Sequence, residues 1–144
     1  MNRMKTLAAF GLLFTSSLSA WAEVAIADAW VRASAPGQQV GAAYMTLTSK
    51  TPSELVYVEA SASEAAEIHS MTMNNGVMKM RALESLSLVP NKPAKLAPGG
   101  FHIMLMDLKA PLKVGEKVKF RLCFKDKKNH ITEQEVTLLV KEAP

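Results

Sequence analysis

Apolar residues recur at every second position in Val118, Phe120, Leu122 and Phe124, while Lys117, Lys119, Arg121 and Lys125 take the alternate places. A period of two is the pattern of a strand with one buried face and one wet face. Val136, Leu138 and Val140 repeat it near the C-terminus. Earlier segments have strand length and end at turn residues. Ala25 to Arg32 is bounded by Ala35-Pro36-Gly37, and Val40 to Thr48 and Leu55 to Glu59 follow. Ile68 to Met73 and Val77 to Leu83 flank Asn74-Asn75-Gly76, and Phe101 to Leu108 follows a stretch broken by Pro90, Pro93, Pro98 and Gly99-Gly100. Ser63 to Glu67 alone hints at a helical turn. The pattern predicts an all-β fold, and a two-sheet Greek-key β-sandwich is the natural packing for seven to nine such strands.

Strand parity also sorts the unusual residues. Six of the seven methionines after the first 22 residues fall between positions 71 and 106, with His69 and His102 beside or among them. Side chains two apart share a face, so His69, Met71 and Met73 project together, as do Met78 and Met80. Asn-Gly is a strong hairpin signal. With Asn75-Gly76 as the loop, Met71 faces Met80 and His69 lies diagonal to it. With Asn74-Asn75 as the loop, His69 faces Met80. Either register keeps His69 and Met80 on one face, and a one-residue slip separates them.

In Phe101 to Met106, the residues Phe101, Ile103 and Leu105 suit a core, and His102, Met104 and Met106 share the opposite face. The candidate metal ligands are His69, Met80, His102 and Met104. Methionine is also a common core filler. Met45 is read that way, and Met71, Met73, Met78 and Met106 as core or site rim. His130, in Lys127-Lys128-Asn129-His130, reads as a solvated loop residue.

The donor chemistry selects the ion. Two imidazoles and two thioethers bring no negative charge, so calcium or magnesium finds no carboxylate cage. Zinc favours cysteine, histidine or carboxylate over thioether. Soft Cu(I) suits both donor types, one ion per chain. Thioethers also resist the disulfide formation that removes thiols in oxidising compartments. Only neutral imidazole ligates, so acid should weaken binding.

The first residues set the compartment. Arg3 and Lys5 precede an apolar run from Leu7 to Leu18, and Ala20-Trp21-Ala22 is an A-x-A cleavage site. Residues 1–22 therefore read as a signal peptide and 23–144 as one domain, exported to the periplasm. The leader holds two of the 17 basic residues and none of the 13 acidic ones, which leaves a mild formal charge of +2 on the rest. Neither that charge nor any basic aromatic stripe argues for nucleic acid. No later segment is apolar enough to span a membrane. Cys123 is the sole cysteine, so no internal disulfide forms; it reads as an inert thiol on a strand.

The spacing His69-x10-Met80-x21-His102-x-Met104 resembles that of the periplasmic copper chaperones of the PCu(A)C family. The similarity extends through Ala29-Trp30-Val31-Arg32-Ala33, Gly41-Ala42-Ala43-Tyr44-Met45, His69-Ser70-Met71, Val77-Met78-Lys79-Met80 and Leu96-Ala97-Pro98-Gly99-Gly100-Phe101 to Pro111-Leu112. The resemblance implies a cupredoxin-like β-sandwich that binds Cu(I) near its surface at His69, Met80, His102 and Met104. It also implies delivery of copper to the binuclear centre of cytochrome c oxidase, through its copper-bearing subunit or another copper chaperone. The His- and Met-rich C-terminal tail of some relatives is missing from Lys141-Glu142-Ala143-Pro144.

A metallochaperone without turnover is the leading expectation, with general copper buffering or resistance as the alternative. An electron-transfer cupredoxin would need a His2Cys set, and Cys123 falls on the polar face of its strand. A metal-free interaction module, with the methionines as packing, is the third reading. No G-x-S-x-G, Cys/His nucleophile pair or acidic metal cage points to an enzyme. The acidic residues read as solubilising charge.

Overall fold

The computed structural model describes residues 24–144, so the proposed leader lies outside the described residues. Ten strands are present among them. They are β1 (Ala25–Arg32), β2 (Gly41–Thr48), β3 (Ser53–Ala60), β4 (Ser63–Asn74) and β5 (Val77–Leu83), followed by β6 (Leu86–Leu88), β7 (Ala94–Leu96), β8 (His102–Leu108), β9 (Lys117–Asp126) and β10 (Ile131–Lys141). The all-β expectation holds, with ten strands rather than seven to nine.

Pairing runs β5-β4-β8-β2-β1-β10-β9-β3-β6, with β7 added to β2. One contact, β1 with β10, is parallel, so the sheet is mixed. β3 and β4 are joined by only Ser61 and Ala62 yet stand six places apart in this order. A flat sheet would separate them by about 29 Å at the usual strand spacing. Two linking residues reach only about 11 Å. The sheet therefore curls until its ends approach, and it stays open because β3 and β4 do not pair.

The concave side holds one core. Val31, Ala43, Leu47, Leu55, Ile103, Leu105, Phe120 and Leu122 are fully buried there. The alternation seen in β9 is reproduced, with Val118, Phe120, Leu122 and Phe124 all inside. Met45 is also core, as expected. Phe101 is not. It is 39% exposed and precedes the first residue of β8, so it lies outside the alternation that buries Ile103 and Leu105.

Two further expectations are corrected. Ser63 to Glu67 forms no helical turn; it is the first part of β4, paired with Leu108, Met106, Leu105 and Met104 of β8. Cross-strand pairing outweighs the weak helical preference of Ser-Glu-Ala-Ala-Glu. The proline-rich stretch also contains the short strands β6 and β7, which pair with β3 and β2.

Candidate metal-binding site

The β4–β5 hairpin takes the Asn75-Gly76 register. Asn74 faces Val77, Met73 faces Met78, Met71 faces Met80, and His69 faces Ala82. Asn75 and Gly76 have φ of 51° and 77°. Positive φ at both central residues is the type I′ condition, and its twist matches that of the flanking strands. His69 thus lies diagonal to Met80 on a shared face.

β4 also pairs with β8, which places His69 opposite His102 and Glu67 opposite Met104. The two imidazole centroids are 5.7 Å apart. β8 in turn pairs with β2, where Met104 faces Ala42. His102 owes its position to an interrupted strand. β7 and β8 both pair with the same edge of β2, Met45 meeting Leu96 and Ala43 meeting Ile103. Residues 97–101 are extruded between them. The loop is closed by Ala97 N–H donating to Phe101 O and Gly100 N–H donating to Ala97 O, both at 3.0 Å.

A cavity of about 240 Å³ opens on this face. Met71, Met80, His102 and Met104 line it, with Tyr44, Arg32, Pro98 and Gly99 among its other walls. Three of the four expected ligands, Met80, His102 and Met104, therefore share one cavity. His69 stands against it through its neighbour His102. Of the other methionines, Met71 is a cavity wall, whereas Met73 and Met78 are exposed at the hairpin tip.

The histidine tautomers follow from their partners. A carbonyl only accepts, so His102 Nδ1–H donates to Gly100 O at 3.0 Å. Its Nε2 lone pair is then free. His69 Nε2–H donates to the Glu67 carboxylate at 2.8 Å. Its Nδ1 is buried and has no hydrogen-bond partner. A buried polar atom without a partner costs free energy unless something engages it. Each ring is thus fixed through one nitrogen with the other left to donate, as in a ligand oriented by a carboxylate or carbonyl.

Sequence reasoning missed Glu67, counting it with the solubilising acids. The available signal was parity, since Glu67 is two residues before His69 and shares its face. It also missed the aromatic wall. Tyr44 is buried and stacks on Trp30 at 4.8 Å between centroids. A bulge in β1, with Asp28 at φ 50°, sets Trp30 opposite Tyr44. An extra strand residue re-aims the next side chain.

Among the described residues, no three His, Cys, Asp or Glu side chains converge on a common point. Cys123 lies on β9, four places from β8 in the pairing order. It is buried between Tyr57 and Glu133 rather than open on a polar face. His130 is largely exposed and its ring meets Asp126 at 3.2 Å, the loop role expected of it.

Residues 24–138 match the family described as "Putative lipoprotein LpqE-like". A curated relative from Leifsonia xyli subsp. xyli, "Putative lipoprotein Lxx21020", is 35% identical over 104 residues, which are 72% of this chain. The chain spans 63% of that relative's length. Among solved structures, the apo PCuAC domain of PmoF1 superposes with a TM-score of 0.66 at 26% identity, covering 83% of this chain and 94% of the domain. DR1885 from Deinococcus radiodurans, solved with Cu(I), gives a TM-score of 0.59 at 31% identity, covering 89% of this chain and 85% of that one. The copper-bound PCuAC domain of PmoF2 is 24% identical with a TM-score of 0.65, covering 84% and 93%, a likeness of fold. The chain belongs to the LpqE-like lipoprotein family, and its fold is similar to that of the PCuAC domains.

Proposed function

We propose that this protein is a periplasmic metallochaperone that carries one Cu(I) per chain at His69, Met80, His102 and Met104 and passes it on by ligand exchange. One observation carries the reading: two adjacent histidines are each pinned through one nitrogen, and the buried Nδ1 of His69 has no partner. Two uncharged nitrogens and nearby thioethers form a donor set that soft, monovalent copper prefers. The Cu(I) form of DR1885 supports the same cargo here.

Exposure suggests the order of exchange. Met80 is 46% exposed, whereas His102 is 4% exposed. A partner ligand reaches Met80 first, and the histidines release last. The acceptor implied by the family resemblance is the copper centre of cytochrome c oxidase, reached directly or through another chaperone; general copper buffering is the alternative. The lipoprotein relative and the A-x-A leader support export, with residues 1–22 removed and 23–144 forming the copper-binding, cupredoxin-like Greek-key domain. No helix among the described residues is long and apolar enough to cross a membrane. No basic surface stripe in the sequence argues for a nucleic-acid partner. The remote, buried Cys123 argues against a blue-copper centre.

The test is an anaerobic Cu(I) titration against a competing chelator. The wild type should take up one tightly bound ion. His69→Ala, Met80→Ala, His102→Ala and Met104→Ala should each weaken it with the circular dichroism unchanged. Equal affinity in all four variants rejects the site.

A further inference from the structure

The hairpin carries a second pair of thioethers that the cavity does not use. Pairs alternate along an antiparallel ladder between hydrogen-bonded and non-hydrogen-bonded positions. Asn74–Val77 closes the two-residue turn as a hydrogen-bonded pair, so Met73–Met78 and Met71–Met80 both occupy non-hydrogen-bonded positions. There the Cα atoms approach to about 4.5 Å and side chains lie closest. Both rungs sit on one face, two residues apart, which is about 7 Å along the strand. The opposite face carries Thr72, Lys79 and Arg81.

Packing does not account for the outer rung. Met73 is 67% exposed and Met78 is 50% exposed. A methionine that fills a core is buried. Here two flexible, polarizable side chains are instead held side by side in water, in line with Met71 and Met80.

We propose that Met73 and Met78 form an outer Cu(I) landing site, which receives the ion at the hairpin tip and hands it to the inner cavity. This rests on the copper reading of that cavity. Two thioethers hold Cu(I) without charge change or redox chemistry, and water or a partner's donor completes the coordination. Two donors bind more weakly than four, so the ion moves inward along the ladder. Met71 lies directly between the outer rung and His69 on β4, on the same face. It is the natural intermediate contact. Transfer outward uses the same steps in reverse.

The experiment uses the chain labelled with carbon-13 at the methionine methyls, titrated anaerobically with Ag(I) as a redox-inert substitute for Cu(I). Methyls of Met80 and Met104 should shift up to one equivalent. Those of Met73 and Met78 should shift together in a second, weaker phase. Met73→Leu should abolish the Met78 response, because one sulfur does not suffice. His102→Ala should disrupt the first phase and leave the second. Separately, the double variant Met73→Leu/Met78→Leu should load Cu(I) from a chelator complex more slowly than wild type. Silent Met73 and Met78 methyls, or a Met78 response that survives Met73→Leu, overturn the site. Unchanged loading by the double variant overturns the relay. A first phase that ignores His102→Ala would instead sink the inner site, so the two failures are distinct.

Discussion

Glu67 shows how much a single residue can contribute without touching a ligand ion. Its carboxylate accepts a hydrogen bond from His69 Nε2–H and so fixes both the ring and its tautomer. Such outer partners typically carry a tenfold to hundredfold share of metal affinity. Glu67→Ala should therefore weaken Cu(I) binding about tenfold in chelator competition while the fold stays intact; an unchanged affinity would mean that packing alone orients His69. The candidate histidines and methionines stood out in the sequence because their chemistry is rare and their spacing long. Glu67 did not, because a strand-edge carboxylate looks the same whether it meets water or an imidazole. Cys123 illustrates the converse. Its alternate position suggested a polar face, but it is buried, with Tyr57 and Glu133 opposite it on the neighbouring strands. Burial first, and then Glu133, pushes its thiol up from the ordinary range. The folded value lies above the unfolded one, so this contribution to stability is complete below about pH 8.5 and is lost as pH rises through the folded value. Folded protein should react slowly with iodoacetamide at pH 8 and rapidly once denatured. Equal rates in both states would contradict the buried thiol.

At the scale of elements, the hairpin sets the site. Its register could not be chosen from residue types, since Asn74-Asn75 and Asn75-Gly76 both make acceptable turns. Backbone sign decides, with positive φ at Asn75 and Gly76 placing Met71 opposite Met80. A Cβ at Gly76 would meet no atom within 4 Å. The cost of Gly76→Ala is then purely conformational, about 1–2 kcal/mol for a left-handed residue. Denaturant unfolding should show that loss, and no loss would mean that the turn relaxes freely. The interrupted strand β7–β8 was only half legible. Pro98, Gly99 and Gly100 announced a break, but the rejoining of both halves to one edge of β2 depends on partners more than 40 residues away. Ser63 to Glu67 was misread for the same reason, because its strand conformation comes from β8 rather than from its own residues.

For the whole molecule, alternation in the later strands revealed the class of fold, and the buried faces of β9 and β10 followed it closely. The order of strands was not legible, because pairing is decided by contacts distant in the chain. That order is what assembles the candidate site. Adjacent β5, β4, β8 and β2 bring His69 and Met104, 35 positions apart, onto one face of an open, curled sheet. The core backs this face, and the two imidazole centroids lie 5.7 Å apart on it. On the proposed reading, a single Cu(I) meets both nitrogen and sulfur there. X-ray absorption at the copper edge, on protein loaded with one equivalent of Cu(I), measures this directly. A mixed shell of imidazole nitrogen and thioether sulfur is expected, losing sulfur in Met80→Leu and Met104→Leu and nitrogen in His102→Ala. A shell of nitrogen and oxygen alone, or one indifferent to all three substitutions, would contradict the account.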